Sequence, residues 1–213
     1  MRHRLLAVAL ASALVPLASG SAQEARSFRN SWFWGIHGGA ATIGTPGQAS
    51  STRGTIGADW LITRTMGGVY AAYDQTNFTG VSSVPDPSAA SGTRLVDIRD
   101  MRTVSLGAVA FPLHVGGFRP YGGLGFALSV VGSASARPDT AGGSVPSGAS
   151  RAVEDARSRS TIFALGGAQW QVGRVAVYGQ VTLFPPSDSY LVSRQVTMFA
   201  AGVRLNVGRS VSR

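Results

Sequence analysis

Phe118-Arg-Pro-Tyr-Gly-Gly-Leu-Gly-Phe-Ala-Leu-Ser-Val130 decides the fold. Leu124, Phe126, Leu128 and Val130 fall on one parity, and Tyr121, Gly123, Gly125 and Ser129 on the other. A period of two is the signature of an extended strand with two unlike faces, because successive side chains point to opposite sides. The run is also longer than the ~5–6 residues usual in soluble sheets and satisfies the ~9–11 residues that a tilted strand needs to cross a bilayer.

The same alternation recurs on both sides of it. It predicts eight strands, at 31–43, 54–64, 67–78, 98–112, 118–134, 158–171, 174–184 and 192–207. Trp32, Trp34, Ile36 and Ala40 oppose His37, Gly39 and Ala41; Ile56, Ala58, Trp60 and Ile62 oppose Thr55, Asp59 and Thr63. Val104, Leu106, Ala108 and Ala110 oppose Thr103, Ser105 and Gly107. Val175, Val177, Val181 and Leu183 oppose Tyr178, Gln180 and Thr182, and Phe199, Val203, Leu205 and Val207 oppose Met198, Gly202, Arg204 and Asn206. The third and sixth strands, with Tyr70, Tyr73, Phe163 and Leu165, leave their facing open. No segment carries a helical stripe with caps.

Connections alternate in length. Thr65-Met66, Leu113–Gly117 and Val172-Gly173 are short; 44–53, 79–97, 135–157 and 185–191 are longer. Such an alternation is that of an antiparallel meander with turns on one side and loops on the other. Pro112, Pro120 and Pro185-Pro186 sit at strand ends, where no ladder hydrogen bond is lost.

Three features orient the faces. The apolar face carries all four tryptophans, Trp32, Trp34, Trp60 and Trp170. Each lies near the short-turn end, where an aromatic belt meets a membrane interface. The other face is crowded with glycine and holds isolated charges, as the narrow inside of an eight-stranded barrel does. The sequence therefore predicts an all-β fold, an eight-stranded antiparallel up-and-down transmembrane β-barrel with its apolar face outward.

Composition agrees. The chain has 213 residues, 44% hydrophobic and 14% charged, with 28 glycines. It is too apolar for disorder and too glycine-rich for a helical bundle. Cysteine and lysine are both absent, which excludes disulfides, thiol nucleophiles, lipoprotein anchoring and Schiff-base chemistry. The formal charge of +9 comes from arginines scattered along the chain, with no basic helix or dense run, so no nucleic-acid partner is expected. Gly122-Gly123-Leu124-Gly125 opens no helix, so it is not a dinucleotide site.

Residues 1–22 read as an export signal. Met1–Arg4 is basic, Leu5–Ala18 is apolar but too short to span, and Ser19–Ala22 supplies small residues for cleavage. The mature domain is then 23–213.

The mature chain resembles the small outer-membrane β-barrel proteins, the OmpA-like and OmpW-like group. Arg119–Leu128 is similar to the glycine-rich, aromatic-containing strand that recurs there. Gly202, Leu205 and Val207 are similar to the C-terminal assembly signal of that group, although Val207 is followed by six more residues instead of ending the chain on an aromatic. The resemblance implies location in the bacterial outer membrane, contact with its lipid and lipopolysaccharide, and delivery to the barrel-assembly machinery. No peptidoglycan-binding domain is expected to follow. A closed barrel has no edge demanding a partner, so a monomer is expected.

The inward face offers Asp59, Asp74, Arg119, Gln180 and Arg204. They suit either a polar conduit with a charge constriction or a plug of paired charges. A narrow lumen favours the plug. Arg102 shares the outward parity but lies towards the loops. The loops at 79–97 and 135–157 are rich in Ser, Gly, Ala and Pro, and read as surface segments.

An enzyme is not expected, nor a metal or cofactor. The deacylase-type His-x-Ser pairing is missing, since His37 precedes Gly38-Gly39 and His114 precedes Val115-Gly116. The function expected is structural or surface-interacting, with a side-chain-filled lumen. The alternatives are a narrow porin-like or OmpW-like channel, a lipid A-modifying enzyme, and a soluble lipocalin-like carrier.

Overall fold

A computed structural model describes residues 28–45, 49–138 and 143–209. The leader assigned to residues 1–22 lies outside them. Eight strands follow one another: β1 (Ser31–Ile43), β2 (Ser51–Thr63), β3 (Gly67–Pro85), β4 (Thr93–Ala110), β5 (Phe118–Ala136), β6 (Ser158–Val172), β7 (Val175–Phe184) and β8 (Val196–Arg209). Each pairs antiparallel with its sequence neighbour, and β8 returns to β1 to close the barrel. Closure gives every strand a neighbour on both sides, the arrangement by which a sheet satisfies its backbone inside a bilayer.

All eight expected strands are present, and the facing holds. Ile36, Ile56, Leu106, Leu124, Phe126, Ile162 and Phe199 point outward and are exposed, Phe126 to 73%. Tyr70 points in and Tyr73 out; Phe163 and Leu165 point in and Ile162 out, which fixes the two strands the pattern left open.

Two expectations about the loops are corrected. Residues 79–97 are mostly strand. β3 and β4 pair up to Pro85↔Thr93, leaving a tip of only 86–92. Ser82, Val84, Arg94, Val96 and Ile98 are all buried inward, so alternation continues, but serine and arginine hide it in an apolar pattern. The other is helix α1 (Ser147–Ala156), within 135–157. It was illegible because its N-cap is Pro146, with no side-chain cap and no acid in the first turn. Ala149 and Val153, one turn apart, are its buried residues, so packing on the barrel mouth stabilises it more than local signals do.

Asp86 and Arg94 pin the tip of the β3–β4 hairpin. Arg94 Nε donates to Asp86 Oδ2, and its Nη1 donates to the Arg137 carbonyl at 2.8 Å. The Ser88 hydroxyl and amide donate to Asp86 Oδ1 at 2.6 and 3.0 Å. The Ser88 hydroxyl first, and Arg94 next, hold the Asp86 carboxyl below the usual carboxylate range. A depressed folded value means the contribution is present above the unfolded value of ~3.9 and is lost as pH falls through the folded one. The tip is therefore expected to stay ordered at pH 5 and to loosen only below about pH 4. Protection of the Gly92 amide, which donates to Ala89 O at 2.9 Å, reports this in hydrogen exchange. Asp86→Asn should remove the acid transition; a transition that persists in the variant would assign it elsewhere.

Candidate functional site

The inward face is not uniformly polar or small, as the alternation suggested. It is layered. Phe28, Phe33, Leu61 and Phe111 fill the short-turn end, and Val84, Val96, Ile98, Val131, Val153 and Leu191 fill the loop end. A polar layer lies between them.

Arg204 of β8 is its centre and is 0% exposed. Its Nε donates to Asp59 Oδ2 at 2.6 Å, and Nη1 to Gln169 Oε1 at 3.0 Å. The guanidinium lies 3.7 Å from the Tyr178 ring centroid. Such a flat, delocalised cation stacks on an aromatic face while its edge hydrogen bonds, which lysine does not do. The Tyr178 hydroxyl donates to Asp59 Oδ1. Tyr121 OH donates to Gln180 Oε1 at 3.1 Å, and Gln180 Nε2 donates to Tyr70 OH at 2.9 Å.

His37 joins both carboxylates. Its Nε2 lies 2.7 Å from Asp74 Oδ1 and its Nδ1 2.9 Å from Tyr178 OH, with Asp59 Oδ1 at 3.6 Å. Since Tyr178 gives its proton to Asp59, both ring nitrogens face acceptors. The imidazolium satisfies both, and two cations then balance two carboxylates. Glycine makes room: a Cβ on Gly35 would come 2.4 Å from Asp59 Oδ1, and one on Gly57 2.4 Å from His37 Nε2.

Of the residues singled out by sequence, Asp59, Asp74, Gln180 and Arg204 are brought together. Arg119 is not. It faces inward nearer the short turns, its guanidinium 4.5 Å from the Phe28 ring centroid. Tyr70, Tyr121, Gln169 and Tyr178 are the members that sequence reasoning did not single out. For Tyr121 and Tyr178 inward parity was the available signal, whereas Tyr70 and Gln169 lie on the two strands whose facing the sequence left open; charge drew attention away from the hydroxyls and amides that surround it.

Outside, Trp60 packs against Trp32 at 5.3 Å and Trp34 at 5.7 Å between ring centroids. Trp170 stands apart on β6, exposed. Arg102 is exposed on the outer face, above Val104 and Leu106. Leu205 and Val207 face outward, whereas a Cβ on Gly202 would meet Ile36 O at 2.2 Å and His37 Cβ at 2.7 Å.

The layer can bind, brace and neutralise. Both nitrogens of His37 are engaged, and apolar tiers lie above and below the layer. In the upper tier the space beside Arg159 and Tyr190 is only about 10 Å³, too little for more than a single water. No group of three or more His, Cys, Asp or Glu among the described residues is arranged to hold a metal.

No protein-family model matches the sequence, and no curated protein does. Solved structures do. The chain is similar to Ail, the attachment invasion locus protein of Yersinia pestis, at 13% identity and a TM-score of 0.51, covering 83% of this chain and 99% of that one. It is similar to Neisserial surface protein A at 13% identity and a TM-score of 0.52, covering 82% and 96%. At such identity the likeness concerns fold alone, and the fold is that of the small eight-stranded outer-membrane β-barrels.

Proposed function

We propose that the protein is an integral outer-membrane barrel, exported through the leader at 1–22, whose role is structural or surface-interacting and neither conducting nor catalytic. The observation that carries this reading is a lumen closed by two apolar tiers around a charge-balanced polar layer, inside a wall whose outer face is apolar. A soluble carrier needs the reverse: an apolar interior with space for cargo and a polar exterior.

The supporting argument is one of solvents. In water, exposed Ile36, Phe126 and Ile162 would form a patch far beyond what monomers tolerate. In hydrocarbon the same side chains are ordinary. The neutral lumen cluster is shielded from that hydrocarbon by the wall, so its charges meet only each other. Trp32, Trp34, Trp60 and Trp170 then mark the interface on the short-turn side, and Gly202, Leu205 and Val207 would serve recognition by the barrel-assembly machinery. The loop side, with α1 and the β3–β4 tip, faces outward towards lipopolysaccharide or a neighbouring surface.

Two measurements test this. Electrophoresis of the outer-membrane fraction should give a band that shifts on boiling, the sign of a closed, detergent-resistant barrel. In planar bilayers the purified protein should leave the membrane without steady unitary currents. Stable currents that vanish with Arg204→Ala would replace the plug with a channel. A protein found only in the aqueous fraction would overturn the membrane reading.

A further inference from the structure

We propose that the outer wall carries a binding groove for a single lipid acyl chain, where β6 and β7 separate. The proposal rests on the reading of the chain as a membrane barrel.

The β6–β7 ladder runs from Val172↔Val175 only as far as Ala164↔Leu183. β6 continues to Ser158 paired with β5 alone, because β7 stops at Phe184 and Pro185-Pro186 follows. Proline has no N–H to offer a ladder. An open seam in hydrocarbon is normally prohibitive, because backbone polar groups lose their partners. Here the proline carbonyls are satisfied from β6: Arg159 Nη1 donates to Pro185 O at 2.9 Å and Nη2 to Pro186 O at 3.0 Å. The seam is thus spanned by one side chain at its top and open below.

What lies below is apolar. A groove of about 530 Å³ runs between Phe126 and Ile162 on one side and Leu183 and Pro185 on the other. Its floor is Phe163 and Phe184, whose ring centroids are 6.0 Å apart. Both rings are buried, so the groove ends against them and does not enter the lumen. The volume lies within the ~300–1,000 Å³ of small-molecule sites. Gln195 is the sole polar side chain lining it among the described residues, so the groove fits a chain, not a headgroup.

Its place in the wall names the occupant. Ile162 is eight positions along β6 from Trp170, or about 27 Å along a strand and roughly 20 Å in height at the usual tilt. With Trp170 at the short-turn interface, that height falls in the loop-side half of a hydrocarbon core ~30 Å thick. The groove is continuous with the exposed surface of Leu124, Phe126 and Ile162. At that depth no water is available to fill it, and a hydrocarbon chain is what meets it.

The test is photolabelling in nanodiscs whose phospholipid bears a diazirine midway along one acyl chain. After irradiation and digestion, label should concentrate on the peptides containing Phe126, Ile162 and Leu183. The expected enrichment is about tenfold over the peptides containing Ile36 and Ile56, the ratio that a preference of about 1.4 kcal/mol produces. Ala164→Trp, which fills the groove, should return labelling there to the level of the rest of the belt. Ala58→Trp, on the opposite wall, should change nothing at the seam. The boiling shift shows that each variant is folded. Label spread evenly around the belt overturns the groove and leaves the membrane barrel standing. A belt without label overturns the membrane reading itself.

Discussion

Asp59→Ala should lower the unfolding free energy of the refolded barrel by about 3–5 kcal/mol, the usual loss when one partner of a buried ion pair is removed. The size follows from what stays behind. Arg204 is fully buried and keeps its charge, while its Nε loses the Asp59 acceptor. Tyr178 loses the acceptor for its hydroxyl, and His37 keeps only Asp74 as counter-ion. Urea titration in detergent or lipid, followed by tryptophan fluorescence, reads the loss. The double variant Asp59→Leu with Arg204→Met removes both charges, and it should recover much of the stability because no buried charge is then left unpaired. If the double variant were as unstable as the single, packing and not charge would be the cause. If Asp59→Ala were neutral, the lumen would admit water and the plug would fail as a description.

Gly202→Val should have the second large effect, largely abolishing the heat-shifted folded band. Gly202 faces His37 across β1–β8, the pairing that closes the barrel. A Cβ there would lie 2.2 Å from Ile36 O and 2.9 Å from His37 Cα. These are backbone atoms on the neighbouring strand, so no rotamer change relieves the clash. Overpacking costs roughly 1–3 kcal/mol where side chains adjust, and more where the backbone must. The same shift would push His37 out of reach of Asp74 and Tyr178. Gly166→Val is the control: its added Cβ has nothing within 4 Å. Equal loss in both variants would point to strand propensity instead of the seam.

The barrel was legible because its signal is geometric. A two-residue period survives any choice of apolar side chain, and tryptophan at one end of several strands reports height as well as facing. Strand ends were less legible. In β3 and β4 the inward positions beyond the membrane band are Ser82 and Arg94 as well as Val84 and Val96, since that part of the lumen is closed by hydrogen bonds as well as contacts. Helix α1 was invisible for a related reason: its stability comes from the barrel mouth. For the lumen cluster, charge found Asp59, Asp74 and Arg204. Tyr121 and Tyr178 were visible as inward residues and Tyr70 was not, but only three-dimensional pairing shows that Tyr178 stacks on Arg204 while bonding to Asp59. Arg119 shares their parity and was misleading, since parity gives the face and not the depth.

With the loops outward as proposed, the unequal strands set what would stand above the membrane. β3 has 19 residues and β7 has 10, which at ~3.4 Å per residue and a tilt near 40° makes one wall taller by roughly 20 Å. Both start at short turns on the same side, so the whole difference appears at the rim. In an outer membrane the low side would end beneath the lipopolysaccharide sugars, while the β3–β4 tip at 86–92 would rise among or above them. Anything approaching from outside would then meet the tall wall of β3, β4 and β5, with that hairpin at its rim, before the low one. Sequence change is expected to gather at this tip, leaving the low wall and its seam to answer only to the lipid.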